Sequence, residues 1–293
     1  MKESYEKISP TAKLTAYLRT FSDIPFAKEI AAESGAEKAY LELTDESAKS
    51  MVRLAPYWEA RYKATNQIIV EHGITQILEI AAGLSPRGLE MTRDPEIICM
   101  VTDLPQILEE EKMIVDRILA KSNNHRSNLY YRTVNALDKE NLSAAMAVFK
   151  DDRTTAIIAE GLLPYFSRRE KETLADNIHA LLKRYGGLWV ATDVQTQQYL
   201  QKVSQIAENT GKRVASVSNS TGTDLESNLF IDDADIEQFF NKAGFRMEEY
   251  SYSNILGYLS SIKTLNLNEA EILRVQQLLK IKKTLILTPQ ERR

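Results

Sequence analysis

Short apolar runs alternate with longer amphipathic ones over most of the chain. ITQILEIA (74–81), EIICMVTD (96–103), LYYRTVN (129–135), TTAIIAE (154–160) and LWVATDV (188–194) each place apolar residues on successive positions, as strands covered on both faces do. The intervening segments carry helical spacing. In SRREKETLADNIHALLKRYGG, Ser167 and Glu170 form a capping box, Leu174, Ile178, Leu181, Leu182 and Tyr185 make one apolar stripe, and Gly186-Gly187 closes the helix. The alternation predicts a parallel sheet flanked by helices.

Three stretches depart from it. From Pro10 to His72 the pattern is helical throughout, in LTAYLRTF, PFAKEIAAESGA and PYWEARYKATNQIIVEHG, which predicts an N-terminal helical cap over 1–73. PQILEEEKMIVDRILAKS (105–122) opens on Pro105 at a first turn, and its Glu109–Glu111 run reads as a solvated face. After a core over 74–194, the segment 195–232 breaks the alternation. It holds a helical QTQQYLQKVSQIAENTGKRV and a polar SVSNSTGTDLESN, and so long an excursion from a sheet predicts a lid. Regularity returns over 233–293 with DDADIEQFFNKAGF, a strand in RMEEYSYSNI, a helix in NEAEILRVQQLL capped by Asn268, and a last strand in KKTLILTP. No Pro/Gly/Ser-rich linker divides the 293 residues, so one domain is expected over 1–293.

Composition narrows the partners. A net charge of -4 with 27% charged residues shows no basic excess, which argues against nucleic acid and anionic membrane. The N-terminus lacks a signal peptide's apolar region and no run reaches the length of a membrane span, so a cytoplasmic location is expected. The single cysteine, Cys99, excludes an internal disulfide or a cysteine zinc site and reads as a buried strand thiol. His72, His125 and His179 fall in or beside predicted helices and read as surface or core residues, so no metal site is expected.

The candidate chemistry lies in EIAAGLSPRG (79–88), a glycine-containing turn after the first strand, where α/β sheets bind ligands. A phosphate-binding loop would need Lys and Ser/Thr after Gly88, and Leu89 and Glu90 stand there instead. A dinucleotide turn wants a second tight glycine and is opposed by Glu79, although Asp103, 20 residues beyond Gly83, suits a ribose and keeps NAD open. S-adenosylmethionine, a cation without a pyrophosphate, fits one glycine with Glu79 and Asp103 better than either.

Four segments, ILEIAAGLSPRG (77–88), VTDLP (101–105), VNALD (134–138) and AEGLLPYFS (159–167), occur in the order found in one family, with RTFSDIPFA and YWEARYKATNQII before them. On these the chain resembles the leucine carboxyl methyltransferase-like family, class I S-adenosylmethionine-dependent O-methyltransferases that include enzymes acting on polyketides and other small acids. The resemblance implies a Rossmann-like fold: a mostly parallel seven-stranded sheet with helices on both faces, a helical cap and a lid insertion before the last strands. It implies that Gly83 lies under the cofactor and that Asp103 takes both ribose hydroxyls. Asn135, or Asp138 one slip away, would hold the adenine amino group, with Ala136 beside the ring. Glu160 would face the amino acid or sulfonium part, Arg61 would pair with the cofactor carboxylate, and Glu79, Ala81 and Leu104 would complete the cofactor contacts. Arg87 corresponds to the arginine of the family's usual G-L-D-T-R turn and is expected in a structural salt bridge. Two features depart from the family: Ala81 stands at a frequent glycine, and Ser85-Pro86 replaces Asp-Thr, which predicts a stiffer turn.

The activity so implied is methyl transfer to a carboxylate or hydroxyl of a small molecule or peptide. A carboxylate needs no base. A hydroxyl would want one, with Asp193 or Tyr165 as the candidates beside Glu160. An NAD(P)-dependent oxidoreductase, or a non-catalytic ligand-binding protein on the same fold, is the rival reading.

Overall fold

The computed structural model describes residues 9–42, 51–206 and 223–290. Its centre is a seven-stranded sheet of β1 (Gln76–Ile80), β2 (Ile98–Asp103), β3 (Leu129–Thr133), β4 (Thr155–Ala159), β5 (Gly187–Ala191), β6 (Phe245–Glu249) and β7 (Leu285–Pro289). The strand order is β3-β2-β1-β4-β5-β7-β6, with β1 paired in parallel to both β2 and β4. Only β7 runs against its neighbours, antiparallel to β5 and β6.

Both faces of the sheet are covered, which is why the strands read as unbroken apolar runs. On one face Leu78, Ile80, Met100, Ile157 and Trp189 pack with Leu174, Ile178 and Leu182 of the capped helix Arg168–Tyr185. On the other, Ile77, Cys99, Val101, Ile158 and Val190 pack with Ile68 and Ile69. Those two isoleucines belong to the helix Ala55–Glu71, so the predicted N-terminal helical region covers one sheet face as well as the strand ends. Cys99 is fully buried, as a strand thiol should be.

Among the described residues, ten further α-helices complete the frame used below. In chain order, α1 is Ser9–Arg19, α2 Ala27–Ser34, α3 Ala36–Glu42, α4 the helix Ala55–Glu71, α5 Arg87–Met91, α6 Pro105–Lys121, α7 Lys139–Ala145 and α8 the helix Arg168–Tyr185. They are followed by α9 (Gln197–Ile206), α10 (Asp233–Lys242), α11 (Ser260–Thr264) and α12 (Glu269–Ile281). The capping boxes at Ser167 and Asn268 both form, and Asp232 caps α10 through the Asp235 N–H.

Several boundaries differ from the sequence expectation. The segment RMEEYSYSNI is strand only to Glu249; the Tyr250 N–H still reaches Thr284 O, then Ser251 caps a 3-10 turn over Tyr252–Asn254. The helix expected over 195–214 is seen as α9, and its remainder lies outside the described residues, as does the polar stretch up to Gly222. The acidic run of α6 is not a uniform solvated face. Glu109 is exposed, but Glu111 is buried, one turn beyond Ile107 and one before Ile114 and Val115 on the apolar side of the helix. Burial pushes its carboxyl well above the usual range, and its Oε2 has no partner. Among the described residues no helix is long and apolar enough to cross a membrane.

The return end of the 195–232 excursion is moored firmly. Buried Lys171 of α8 donates to Phe166 O at 2.6 Å and to Asn228 O, while Asn228 Nδ2 donates to Pro164 O at 3.2 Å. By contrast, α9 buries none of its residues fully.

Candidate active site

The sheet order reverses across β1, and the carboxyl ends of β1, β2 and β4 open into a cavity of about 610 Å³, within the range usual for small-molecule sites. After β1 the chain turns through Ala81 and Gly83, both in the left-handed region at φ 53 and φ 63. A Cβ on Gly83 would stand 3.4 Å from the Ala12 Cβ, because α1 crosses over the turn. Ala81 adopts a conformation that favours glycine and holds it by tertiary contacts; such an L-residue carries about 1–2 kcal/mol of strain. Ala81→Gly should therefore raise stability by up to about 1 kcal/mol, part of the relief being offset by glycine's greater freedom when unfolded; a denaturant midpoint that falls would contradict this.

The Ser85-Pro86 pair stiffens this turn by capping. The Ser85 hydroxyl donates to Glu79 Oε1 at 3.2 Å and accepts the Arg87 N–H at 3.3 Å, and Pro86 stands just before α5, where a missing N–H is harmless. Asp103 closes the other side. Its Oδ2 accepts the Gly83 N–H and its Oδ1 the Leu104 N–H, each at 2.7 Å, so the end of β2 is tied to the glycine turn. Burial pushes its carboxyl from 3.8 up to about 6, the two backbone donors offsetting only part of the effect.

An ionic network braces the cavity wall. Glu160, at the end of β4, receives three guanidiniums: Oε1 accepts Arg19 at 2.8 Å and Arg61 at 3.0 Å, and Oε2 accepts Arg87 at 3.0 Å. Arg61 also reaches Asp193 Oδ1 at 3.0 Å, and Arg87 pairs with Glu79 and donates through Nε to Asn66 Oδ1 at 2.8 Å. Burial alone would raise the Glu160 carboxyl, but Arg61, Arg87 and Arg19 outweigh it and hold the group well below the usual carboxylate range. The Tyr62 ring lies under two of these cations, 4.7 Å from Arg87 and 5.4 Å from Arg19. Three buried atoms of this wall, Arg19 Nε, Arg61 Nε and Glu79 Oε2, are without hydrogen-bond partners.

Most of the residues singled out from the sequence line the cavity: Arg61, Glu79, Ala81, Gly83, Asp103, Leu104, Asn135, Ala136, Glu160, Tyr165 and Asp193. Asp138 does not. Its carboxylate accepts the Glu140 and Asn141 N–H groups as the cap of α7. Asn135 Oδ1 accepts the Leu137 N–H at 3.1 Å, fixing the backbone of the 135–137 turn. Asp193 is heavily engaged for a base: besides Arg61 it accepts the Gly161 N–H and the Thr192 hydroxyl. Burial pushes the Tyr165 phenol up. None of the three histidines lines the cavity; His179 packs edge-on to Phe245, 5.3 Å between ring centres. Sequence reasoning missed Arg19 and Tyr57. Arg19 stands out in retrospect as a lone cation in the apolar run LTAYLRTF, and Tyr57 lies one helical turn before Arg61 in α4.

Comparison with known proteins decides the family. The family model for leucine carboxyl methyltransferase matches residues 15–179, from within α1 to within α8, a range that takes in Arg19, Arg61, Glu79, Gly83, Asp103 and Glu160. The chain belongs to the leucine carboxyl methyltransferase family. Among curated relatives, a protein of Mycolicibacterium smegmatis inferred to be an S-adenosyl-L-methionine-dependent methyltransferase is 30% identical over 156 residues, 53% of this chain and 48% of its own length. A similar protein of Mycobacterium marinum is 29% identical over 141 residues, covering 46% and 45%. The chain thus spans about half the length of the curated relatives it matches. Among solved structures, a protein from Thermobifida fusca inferred to be a methyltransferase superposes with a TM-score of 0.54 at 16% identity, covering 96% of this chain and 94% of its own. A DUF574 family protein from Streptomyces avermitilis superposes with a TM-score of 0.53 at 15% identity, covering 96% and 97%. These two likenesses concern the fold, which in strand order and in the reversed β7 is that of a class I methyltransferase.

Proposed function

We propose that the protein is an S-adenosylmethionine-dependent O-methyltransferase that modifies a carboxylate or hydroxyl of a small molecule or peptide. The observation that carries this reading is the charge of the cavity wall. Among the described residues of the lining, five carboxylates, on Glu79, Asp103, Glu160, Glu170 and Asp193, stand against three guanidiniums, on Arg19, Arg61 and Arg87. A negative excess suits a cofactor with a sulfonium and an ammonium group against one carboxylate, and opposes the two negative charges of a pyrophosphate. The unpartnered atoms fit the same ligand. Arg19 Nε and Arg61 Nε are unsatisfied donors for a carboxylate, and Glu79 Oε2 is an unsatisfied acceptor for an ammonium; each such buried atom costs about 1–3 kcal/mol until it is paired.

Bound there, the cofactor supplies an electrophilic methyl group on sulfur. The chain's own part is to hold and orient. Asp103 receives the ribose hydroxyls, the turn at Gly83 lets the backbone approach, and the 135–137 turn lies beside the adenine. Arg61 and Arg19 turn toward the carboxylate. The helical cap and α9 exclude water from the reacting oxygen; a carboxylate reacts once positioned, whereas a hydroxyl must also pass its proton to a base.

Calorimetric titration with S-adenosylmethionine, S-adenosylhomocysteine and NAD tests the assignment. Binding of the first two and not of NAD is expected; NAD binding without a response to S-adenosylhomocysteine would refute it. The pH dependence adds a second check. The folded chain keeps a proton on Asp103 between about pH 4 and 6 that the unfolded chain has lost, so this group's contribution to stability falls as pH rises through that window. A ribose donating hydroxyls to the carboxylate favours the ionised form instead. Affinity for S-adenosylhomocysteine should be level above about pH 7 and fall by up to tenfold per pH unit below about 6.

A further inference from the structure

Part of the cavity lining comes from the helical cap and from α9, and this compartment shares the cavity with Glu160 and Asp193. Tyr57 of α4 and Tyr199 of α9 meet there, hydroxyl to hydroxyl, at 2.9 Å. In such a pair one O–H donates to the other oxygen, which leaves the accepting tyrosine with its own O–H still to give. Around them the lining is apolar and aromatic. Trp58 stands edge-on to Tyr57 with ring centres 5.3 Å apart, and Leu200 and Val203 share the cavity face of α9 with Tyr199. Buried Lys282 stands behind Tyr57: its Nζ is 4.8 Å from the ring centre and donates to Thr192 O at 2.8 Å, which fixes the ring from the far side.

The geometry points to the Tyr57–Tyr199 hydroxyl pair as the group that receives the acceptor oxygen, in a compartment that selects a neutral, flat, largely apolar molecule bearing a hydroxyl over one bearing a carboxylate. This rests on the methyltransferase reading above and narrows its acceptor class. The charges set the preference. Among the described residues of the lining, each cation, Arg19, Arg61 and Arg87, is already paired with a carboxylate. A carboxylate acceptor would come to rest near Asp193 and Glu160 with repulsion from both. A phenol-like acceptor brings no charge, stacks on the aromatic walls, and accepts the unused tyrosine O–H.

The probes are 1-naphthol and 1-naphthoate, one skeleton with the two functional groups, titrated by calorimetry into protein saturated with S-adenosylhomocysteine. Naphthol should bind at least tenfold more tightly than naphthoate. Tyr57→Phe and Tyr199→Phe should each weaken naphthol at least fivefold while leaving S-adenosylhomocysteine affinity and the melting temperature within error of the parent. Naphthoate binding equal to or tighter than naphthol, naphthol affinity indifferent to both variants, or no binding of either probe would overturn the proposal. Failure of S-adenosylhomocysteine itself to bind is a separate result, and it would remove the underlying methyltransferase reading.

Discussion

Glu160→Gln is expected to lower the stability of the folded chain by about 3–5 kcal/mol, the scale for leaving a buried ion partner unmatched. With about 2.1 cal/mol/K of unfolding entropy per residue, this corresponds to a melting temperature lower by roughly 5–8 °C for 293 residues. Glutamine keeps the shape and removes the charge that three guanidiniums share. Arg61 retains Asp193 and Arg87 retains Glu79, but among the described residues Arg19 has no other carboxylate partner and keeps its 3.3 Å contact to Leu84 O and the Tyr62 ring at 5.4 Å. The loss should therefore be concentrated on Arg19. Combining Glu160→Gln with Arg19→Met should recover part of it, because the cation left stranded is then gone as well. A single variant that melts within 1 °C of the parent would show that the network contributes nothing net.

Asp103→Asn should weaken S-adenosylhomocysteine binding at least tenfold, about 1.4 kcal/mol, with the fold retained. The amide keeps one oxygen, so one of the two backbone N–H groups, of Gly83 or of Leu104, loses its acceptor, and the ribose loses an anionic partner. Charge-assisted hydrogen bonds are roughly twice as strong as neutral ones, which sets the direction. Because asparagine does not titrate, the drop in affinity below about pH 6 should vanish in the same variant. Calorimetry at pH 5.5 and 7.5 on both proteins reads the two effects together, and an unchanged affinity in a folded variant would refute the ribose role.

The strands were legible because burial on both faces forces apolar residues onto successive positions, a pattern that survives without any knowledge of neighbours. Ile77 and Leu78 feed opposite clusters, and no helical spacing would place them so. Helix ends were legible where the cap is local, at Ser167, Asp232 and Asn268. Glu111 was not. Three acids in a row look solvated, and only the packing of α6 turns the third one inward. Arg19 was missed for a related reason: its meaning depends on Glu160, 141 residues away, and nothing local to α1 announces that partner. Asp138 and Asn135 lie within one turn of chain, and only the folded backbone shows that the Asp138 carboxylate caps α7 while Asn135 holds the 135–137 turn. The Ser85-Pro86 departure changes the means of holding the turn, with a hydroxyl doing the capping.

The ionic bracing of the wall also bears on how a ligand gets in and out. Swinging α1 away from the sheet would separate Arg19 from Glu160, and moving α4 would strip Arg61 from two carboxylates, so that side of the molecule is a poor door. The 225–230 stretch is tethered through Lys171 and Asn228. Helix α9, with no described residue fully buried and one hydroxyl pair to α4, is less costly to displace than those ion-paired helices. Ligand traffic should pass beneath it, and the rate of product release should then follow the motion of α9, independently of how tightly the cofactor end is gripped.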